Sequence, residues 1–154
     1  MRRSEREIKE FAGIVDVLDR CDTIHLGIHD DVYPYVVPLS FGYEVVDGKI
    51  VIYFHGAREG FKHELLAKNH KVCVEADLCH GFMDTGHSVT CEYESIIGFG
   101  TAEIVSGEEA VKGVDLLLRH CTFPGYEYDK KVMAVMYVYR ITLDSVTGKR
   151  KQVK

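Results

Sequence analysis

Residues 50–69, Ile-Val-Ile-Tyr-Phe-His-Gly-Ala-Arg-Glu-Gly-Phe-Lys-His-Glu-Leu-Leu-Ala-Lys-Asn, constrain the chain most. An apolar run that ends at His55 reads as a buried strand. Gly56, Ala57 and Gly60 make a small-residue turn, and a short helix over 60–69 follows with Lys62 in its first turn. A helix start offers unpaired backbone N–H groups and the positive end of its dipole, and a lysine adds a point charge. The junction can hold a phosphate. A first-turn lysine can equally point at water, and the spacing is not that of a Walker A loop, so the residues alone leave both readings open.

The flanking pattern is β-rich. Val46-Asp47-Gly48-Lys49 lies between apolar runs, and Asp-Gly there is a strong hairpin signal. Strands are expected over 23–29, 33–43, 49–55, 71–77, 89–105 and 131–143, with a loop over 78–88 and a turn at Thr147-Gly148. Gly98 and Gly100 inside a strand predict a bulge, a barrel corner or a close neighbour. Ser4 and Glu7 have capping-box spacing ahead of a helix over 5–20, and a third helix is expected over 108–121. About six strands without regular helical crossovers point to a mainly β fold, a small antiparallel barrel with peripheral helices.

Bulk properties narrow the function. At 154 residues the expectation is one domain, 1–154, burying about 70% of the surface its unfolded chain exposes. A net charge of −5 argues against nucleic-acid binding. No apolar run approaches a membrane span, and the charged N-terminus is no signal peptide. Five cysteines without a CxxC pair read as reduced thiols of a cytoplasmic protein. Cys73, Cys79, His80, His87 and Cys91 match no zinc spacing, so no metal is expected. Gly98-Phe99-Gly100 lacks the rest of a dinucleotide fingerprint, and no nucleophile elbow is present.

Two further features invite a ligand. Pro38 interrupts an otherwise good strand, which suits either a plain edge strand or free backbone groups facing a ligand. His55 at a strand end suits a proton donor or a structural hydrogen bond.

In order, Met1-Arg-Arg-Ser-Glu-Arg-Glu-Ile8, Pro34-Tyr-Val-Val-Pro-Leu-Ser-Phe-Gly-Tyr43, Tyr53-Phe-His-Gly-Ala-Arg-Glu-Gly-Phe-Lys62, Leu66-Ala-Lys-Asn-His-Lys-Val-Cys73 and Tyr93-Glu-Ser-Ile-Ile-Gly-Phe-Gly100 resemble the flavin-binding split-barrel family that includes pyridoxamine 5′-phosphate oxidase. The nitroimidazole-resistance branch is most similar. His70 departs from the proline that such proteins carry after the asparagine. The resemblance implies a six-stranded antiparallel split β-barrel that forms a homodimer with two flavins, FMN or alternatively FAD, at the subunit interface. It implies that Val37, Pro38, Leu39 and Ser40 lie along the isoalloxazine, that His55, Gly56 and Ala57 line the site, and that Lys62 takes the phosphate. Tyr93 and Ser95 would approach from the partner subunit, and Lys149 and Arg150 are weaker matches. The expected activity is an FMN-dependent reductase of small nitroaromatic compounds, with His55 as proton donor and a nicotinamide, NAD(P)H, as reductant. The alternatives are a flavin- or haem-binding carrier or sensor and a pyridoxamine phosphate oxidase proper.

Overall fold

The computed structural model describes residues 3–151, so Met1 and Arg2 of the matching N-terminal stretch lie outside the described residues. These form eight strands and three α-helices: β1 (Glu7–Ile8), α1 (Phe11–Arg20), β2 (Ile24–Ile28), β3 (Tyr35–Leu39), β4 (Gly42–Val46), β5 (Lys49–Ala57), α2 (Phe61–Lys68), β6 (Lys71–Asp84), β7 (Val89–Val105), α3 (Gly107–His120) and β8 (Met136–Lys151). All pairings are antiparallel, in the order β3-β2-β6-β7-β8-β5-β4, with β1 added to β8. The two ends of this path, β3 and β4, are joined only by Ser40 and Phe41, and that link closes a split β-barrel with helices outside it.

Alternation sets inside from outside. Ile24, Leu26 and Ile28 on β2, Val72, Val74 and Ala76 on β6, and Tyr139, Ile141 and Leu143 on β8 are buried in one core. β5 is buried on both faces because α3 covers its outer side, where Val51 and Tyr53 meet Ala110 and Val114. That is why 50–54 reads as a continuous apolar run.

The Asp47-Gly48 hairpin forms as expected, with φ of 50° and 75° at its two turn residues, the left-handed pair that a two-residue hairpin prefers. The strand expected over 33–43 divides instead. Phe41 is fully buried, and Gly42 presses on α3 so closely that a Cβ would stand 2.2 Å from the Leu117 nitrogen. The chain leaves β2 there and joins β5, which a continuous strand could not do.

Three other expectations give way to pairing. The capping box at Ser4 does not form: Ser4–Arg6 is a 3-10 turn, Glu7 and Ile8 pair with Lys149 and Gly148, and α1 starts at Phe11 without a side-chain cap. Thr147-Gly148 is no turn but the interior of β8, where the missing Cβ leaves room for Ile8 and Ile14. The loop over 78–88 is mostly β6, which pairs with β7 as far as Asp84 and absorbs one extra residue in a bulge between Cys79 and Gly81. Gly98 and Gly100 do meet close neighbours, the Leu143 side chain and the Thr142 carbonyl.

One buried charge ties these pieces together. Glu94 on β7 is 4% exposed and accepts hydrogen bonds from Arg20 of α1 (2.7 Å), from Arg150 of β8, and pairs with His80 in the bulge (2.9 Å). The Arg20 hydrogen bond, helped by His80 and Arg150 against the cost of burial, holds its carboxyl down at about 2. A depressed folded pKa stabilises the fold above the ordinary carboxylate range and loses that contribution as pH falls toward 2. The stability gap between the protein and Glu94→Gln, read from urea midpoints, therefore shrinks from pH 6 to pH 3. A gap that stays constant with pH would refute the assignment.

Candidate functional site

The strand–turn–helix junction expected from residues 50–69 forms where β5 ends. Gly60, with φ 112°, is the N-cap of α2 and offers no side-chain cap. The first intrahelical bond runs from the Glu64 N–H to the Gly60 carbonyl, so the N–H groups of Phe61, Lys62 and His63 have no such partner. Lys62 folds back over the strand instead of reaching for water. Its Nζ lies 3.1 Å from where a Cβ of Gly56 would stand and 5.3 Å from the centre of the Phe54 ring.

Lys62 is half-buried, and among the described residues no carboxylate forms an ion pair with it or with His55. Burial pushes the Lys62 ammonium below its ordinary range. His55 is open to solvent at its rim, yet the protein around it desolvates the ring. That desolvation, joined by the Lys62 charge, pushes its pKa below 6.5. A cationic site that repels its own proton and has no internal counterion is suited to an external anion.

β3 stands beside this junction. The Tyr35 and Phe61 rings meet edge to face at 5.1 Å, which fixes the start of β3 against the start of α2. β3 is a sheet edge, so Pro38 interrupts no second ladder, and the edge-strand reading of this proline holds. Val37 and Leu39 pack toward the core, while Pro38 and Ser40 face out.

Tyr93 and Ser95 are elsewhere. Tyr93 pairs with Lys151 and His55 with Val138, thirteen residues apart on the same β8. That is about 40 Å of strand. One chain therefore does not bring the two groups together. At the far end, Ser95 pairs with Lys149, whose Nζ lies 5.6 Å from the Tyr93 ring centre. Burial alone would push the Tyr93 phenol up, but hydrogen bonds with Lys149 and Arg6 outweigh it and lower its pKa. Lys149 thus stands with Tyr93, whereas Arg150 is committed to Glu94.

Other polar groups went unmarked in the sequence. His25 and Glu75 meet at 2.9 Å with Asp77 close by, on the outer face of β2 and β6. Arg58 lies over the Tyr137 ring at 5.0 Å, His63 stacks on the same ring at 5.0 Å, and His63 pairs with the Tyr139 hydroxyl at 2.8 Å. A cleft of about 720 Å³ opens between Arg58, Met133, Met136 and the start of α3. Neither Lys62 nor His55 lines it. Only the strand register, invisible in the sequence, assembles these groups.

The family model described as pyridoxamine 5′-phosphate oxidase matches residues 12–150. The chain belongs to this family. Within the split-barrel structures, it is similar to a protein of Bacteroides thetaiotaomicron provisionally designated for 5-nitroimidazole antibiotic resistance. The two share 31% identity over 93% of this chain and 85% of that one, with a TM-score of 0.83. The flavocytochrome Anf3 of Azotobacter vinelandii has the same fold at 20% identity, over 99% of this chain and 72% of that one, with a TM-score of 0.77. So does an FAD-binding protein of Mesorhizobium loti, at 21% identity over 96% and 98% and a TM-score of 0.70. A search of curated proteins finds no significant match. No helix among the described residues is long and apolar enough to cross a membrane.

The Lys62 charge acting on His55 gives this family member a measurable signature. The His55 imidazole titrates below 6.5 in NMR, and Lys62→Met moves its midpoint upward. An unmoved midpoint would mean that the two side chains are not neighbours in solution.

Proposed function

We propose that the protein binds a flavin mononucleotide at each of two equivalent sites of a homodimer and uses it to reduce small nitroaromatic compounds. The observation that carries the flavin is the unpaired Lys62 ammonium over Gly56 at the uncapped start of α2. A terminal phosphate supplies the missing counterion and accepts hydrogen bonds from the orphan N–H groups. Membership of the pyridoxamine 5′-phosphate oxidase family and the similarity to a protein designated for nitroimidazole resistance support the same reading. FAD, which the Mesorhizobium protein binds, carries a phosphate at the same point of its chain, and FMN is the simpler occupant.

The separation of the residues assigned to the site supports the homodimer. Tyr93, Ser95 and Lys149 stand about 40 Å of strand from His55 and complete the site only from a second subunit. Val36, Ile97 and Phe99, all well exposed on the outer face, supply apolar surface for the contact. The free cysteines suit the cytoplasm.

When bound, the flavin supplies two-electron reduction, taken from a nicotinamide donor. The chain's own residues hold and orient. The β3 backbone around Pro38 lies along the ring, and Lys62 with the α2 N–H groups anchors the phosphate. His55, whose lowered pKa leaves only a minor protonated fraction near neutrality but makes that form a stronger acid, is the group that passes a proton to a substrate atom gaining electrons.

Lys62→Ala weakens FMN about tenfold to a hundredfold, the worth of one charge-assisted hydrogen bond, and leaves riboflavin within about threefold. Isothermal titration of both ligands distinguishes the cases, because equal losses would remove Lys62 from the phosphate. For the whole assignment, native mass spectrometry should find two chains with two flavins. The purified protein should also oxidise a reduced nicotinamide when a nitroimidazole is added without oxygen. A colourless protein that takes up no FMN would end the flavin reading, a Soret band would replace it with haem, and no turnover above a protein-free control would end the reductase reading.

A further inference from the structure

Outside the site just described, the β6–β7 ribbon carries an unexplained pair of thiols. Cys79 and Cys91 place their sulfurs 3.5 Å apart, and both are free. Cys21, Cys73 and Cys121 make no sulfur–sulfur contact among the described residues. The pair was considered above only for zinc, which its spacing does not suit.

The register explains the meeting. Cys79 is opposite Tyr93, and Cys91 is opposite Phe82, so the two cysteines are diagonal neighbours rather than direct partners. Diagonal neighbours in a regular ladder lie about 7–8 Å apart, beyond the usual reach of a disulfide. Between them sits the bulge, whose extra residue, His80, is held by Glu94 at 2.9 Å. A bulge sharpens the local twist and brings the diagonal together. The buried Glu94 network therefore holds the strand in the shape that aligns the two sulfurs.

We infer that Cys79 and Cys91 form a reversible intrachain disulfide, a redox-controlled crosslink of β6 to β7 beside Tyr93. The inference rests on the ribbon's geometry and stands whether or not a flavin binds.

The oxidant is a hydroperoxide, in the simplest case hydrogen peroxide. Cys79 is exposed and Cys91 half-buried, and the hydrogen bond with Cys79 pushes the Cys91 thiol up. Cys79 is thus the attacking group. Its sulfur bonds to one peroxide oxygen, the O–O bond breaks, and one water leaves, giving a sulfenic acid. The Cys91 sulfur then attacks that sulfur, the S–S bond forms, the S–O bond breaks, and a second water leaves. Two thiols lose two electrons and two protons, and the peroxide becomes two waters. Two equivalents of a small thiol reverse the change by exchange. Such a transient bond is compatible with a reducing compartment.

The crosslink closes the ribbon tip, where Phe82 and Val89 are 75% and 72% exposed. A protease cut after Phe82 therefore lies inside the closed loop. The full-length protein, reduced, desalted and exposed to a small excess of hydrogen peroxide, should fall from five titratable thiols to three when denatured. Dithiothreitol should restore all five. Chymotryptic fragments from either side of Phe82 should stay joined until reductant is added, with the link mapped to Cys79 and Cys91. Cys79→Ser and Cys91→Ser should each abolish the intrachain link, while Cys73→Ser keeps it. Five thiols remaining, a link through Cys21, Cys73 or Cys121, a link between chains, or sulfinic acid without a link would each overturn the inference.

Discussion

The pairing of β8 organises everything else. This sixteen-residue strand pairs with β7 along most of its length, with β5 over its first half and with β1 near its end. Each partner brings one functional group to a fixed point on the ruler. β5 sets His55 and the entry to α2 near Val138, and β7 sets Tyr93 and Ser95 near Lys149 and Lys151. Apart from one register irregularity, where Asp144 is skipped opposite Phe99 and Gly100, the β7–β8 ladder is continuous, and the two ends stand about 40 Å of strand apart. The separation of Tyr93 and Ser95 from His55 within one chain is a consequence of the ladder.

Charge placement follows the same division. At the β7 end, Glu94 gathers Arg20, His80 and Arg150, and its local charge is balanced within the chain. A buried carboxylate of this kind is tolerable only while its partners stay in place, so it links α1, the β6 bulge and β8 into one unit. At the β5 end the balance is missing. Lys62 and His55 have no carboxylate partner among the described residues; burial lowers both pKa values, and the Lys62 charge lowers that of His55 further. The β5 end thus leaves the Lys62 ammonium without a carboxylate among the described residues, whereas the buried Glu94 has three basic partners.

Much of this was legible in the residues, and the failures have a common cause. The Asp47-Gly48 hairpin, the β5–α2 junction and the amphipathic α3 depend on local chemistry, and each formed as read. Ser4 and Thr147-Gly148 differ from expectation because distant strands pair with their segments, and 78–88 differs because β6 and β7 extend their own hairpin as far as Asp84 and Val89. Gly148 and Gly42 looked like turn or strand residues, yet both are glycine because another segment passes too close for a Cβ. Tertiary pairing overrides local signals where a long strand offers a complete ladder, and a single sequence does not display the partner. The same blindness hid the meeting of Cys79 with Cys91 and of His25 with Glu75, since each pair lies on different strands.

The junction at Gly56 shows how little the chain needs to make such a site. A Cβ there would crowd the end of Lys62, whose Nζ lies 3.1 Å from the Cβ position, and push it aside by a few tenths of an ångström. Any side-chain cap at Gly60 would occupy the N–H groups that α2 leaves open. Two glycines therefore keep one lysine and one helix end exposed to the same point. Neither contributes a functional group. Each prevents the protein from satisfying its own polar atoms, and an anion binds well only where the protein has left such atoms unsatisfied. The junction thus depends on what these two positions lack; the residues alone leave it readable in two ways, and the folded position of Lys62 over Gly56 narrows the choice.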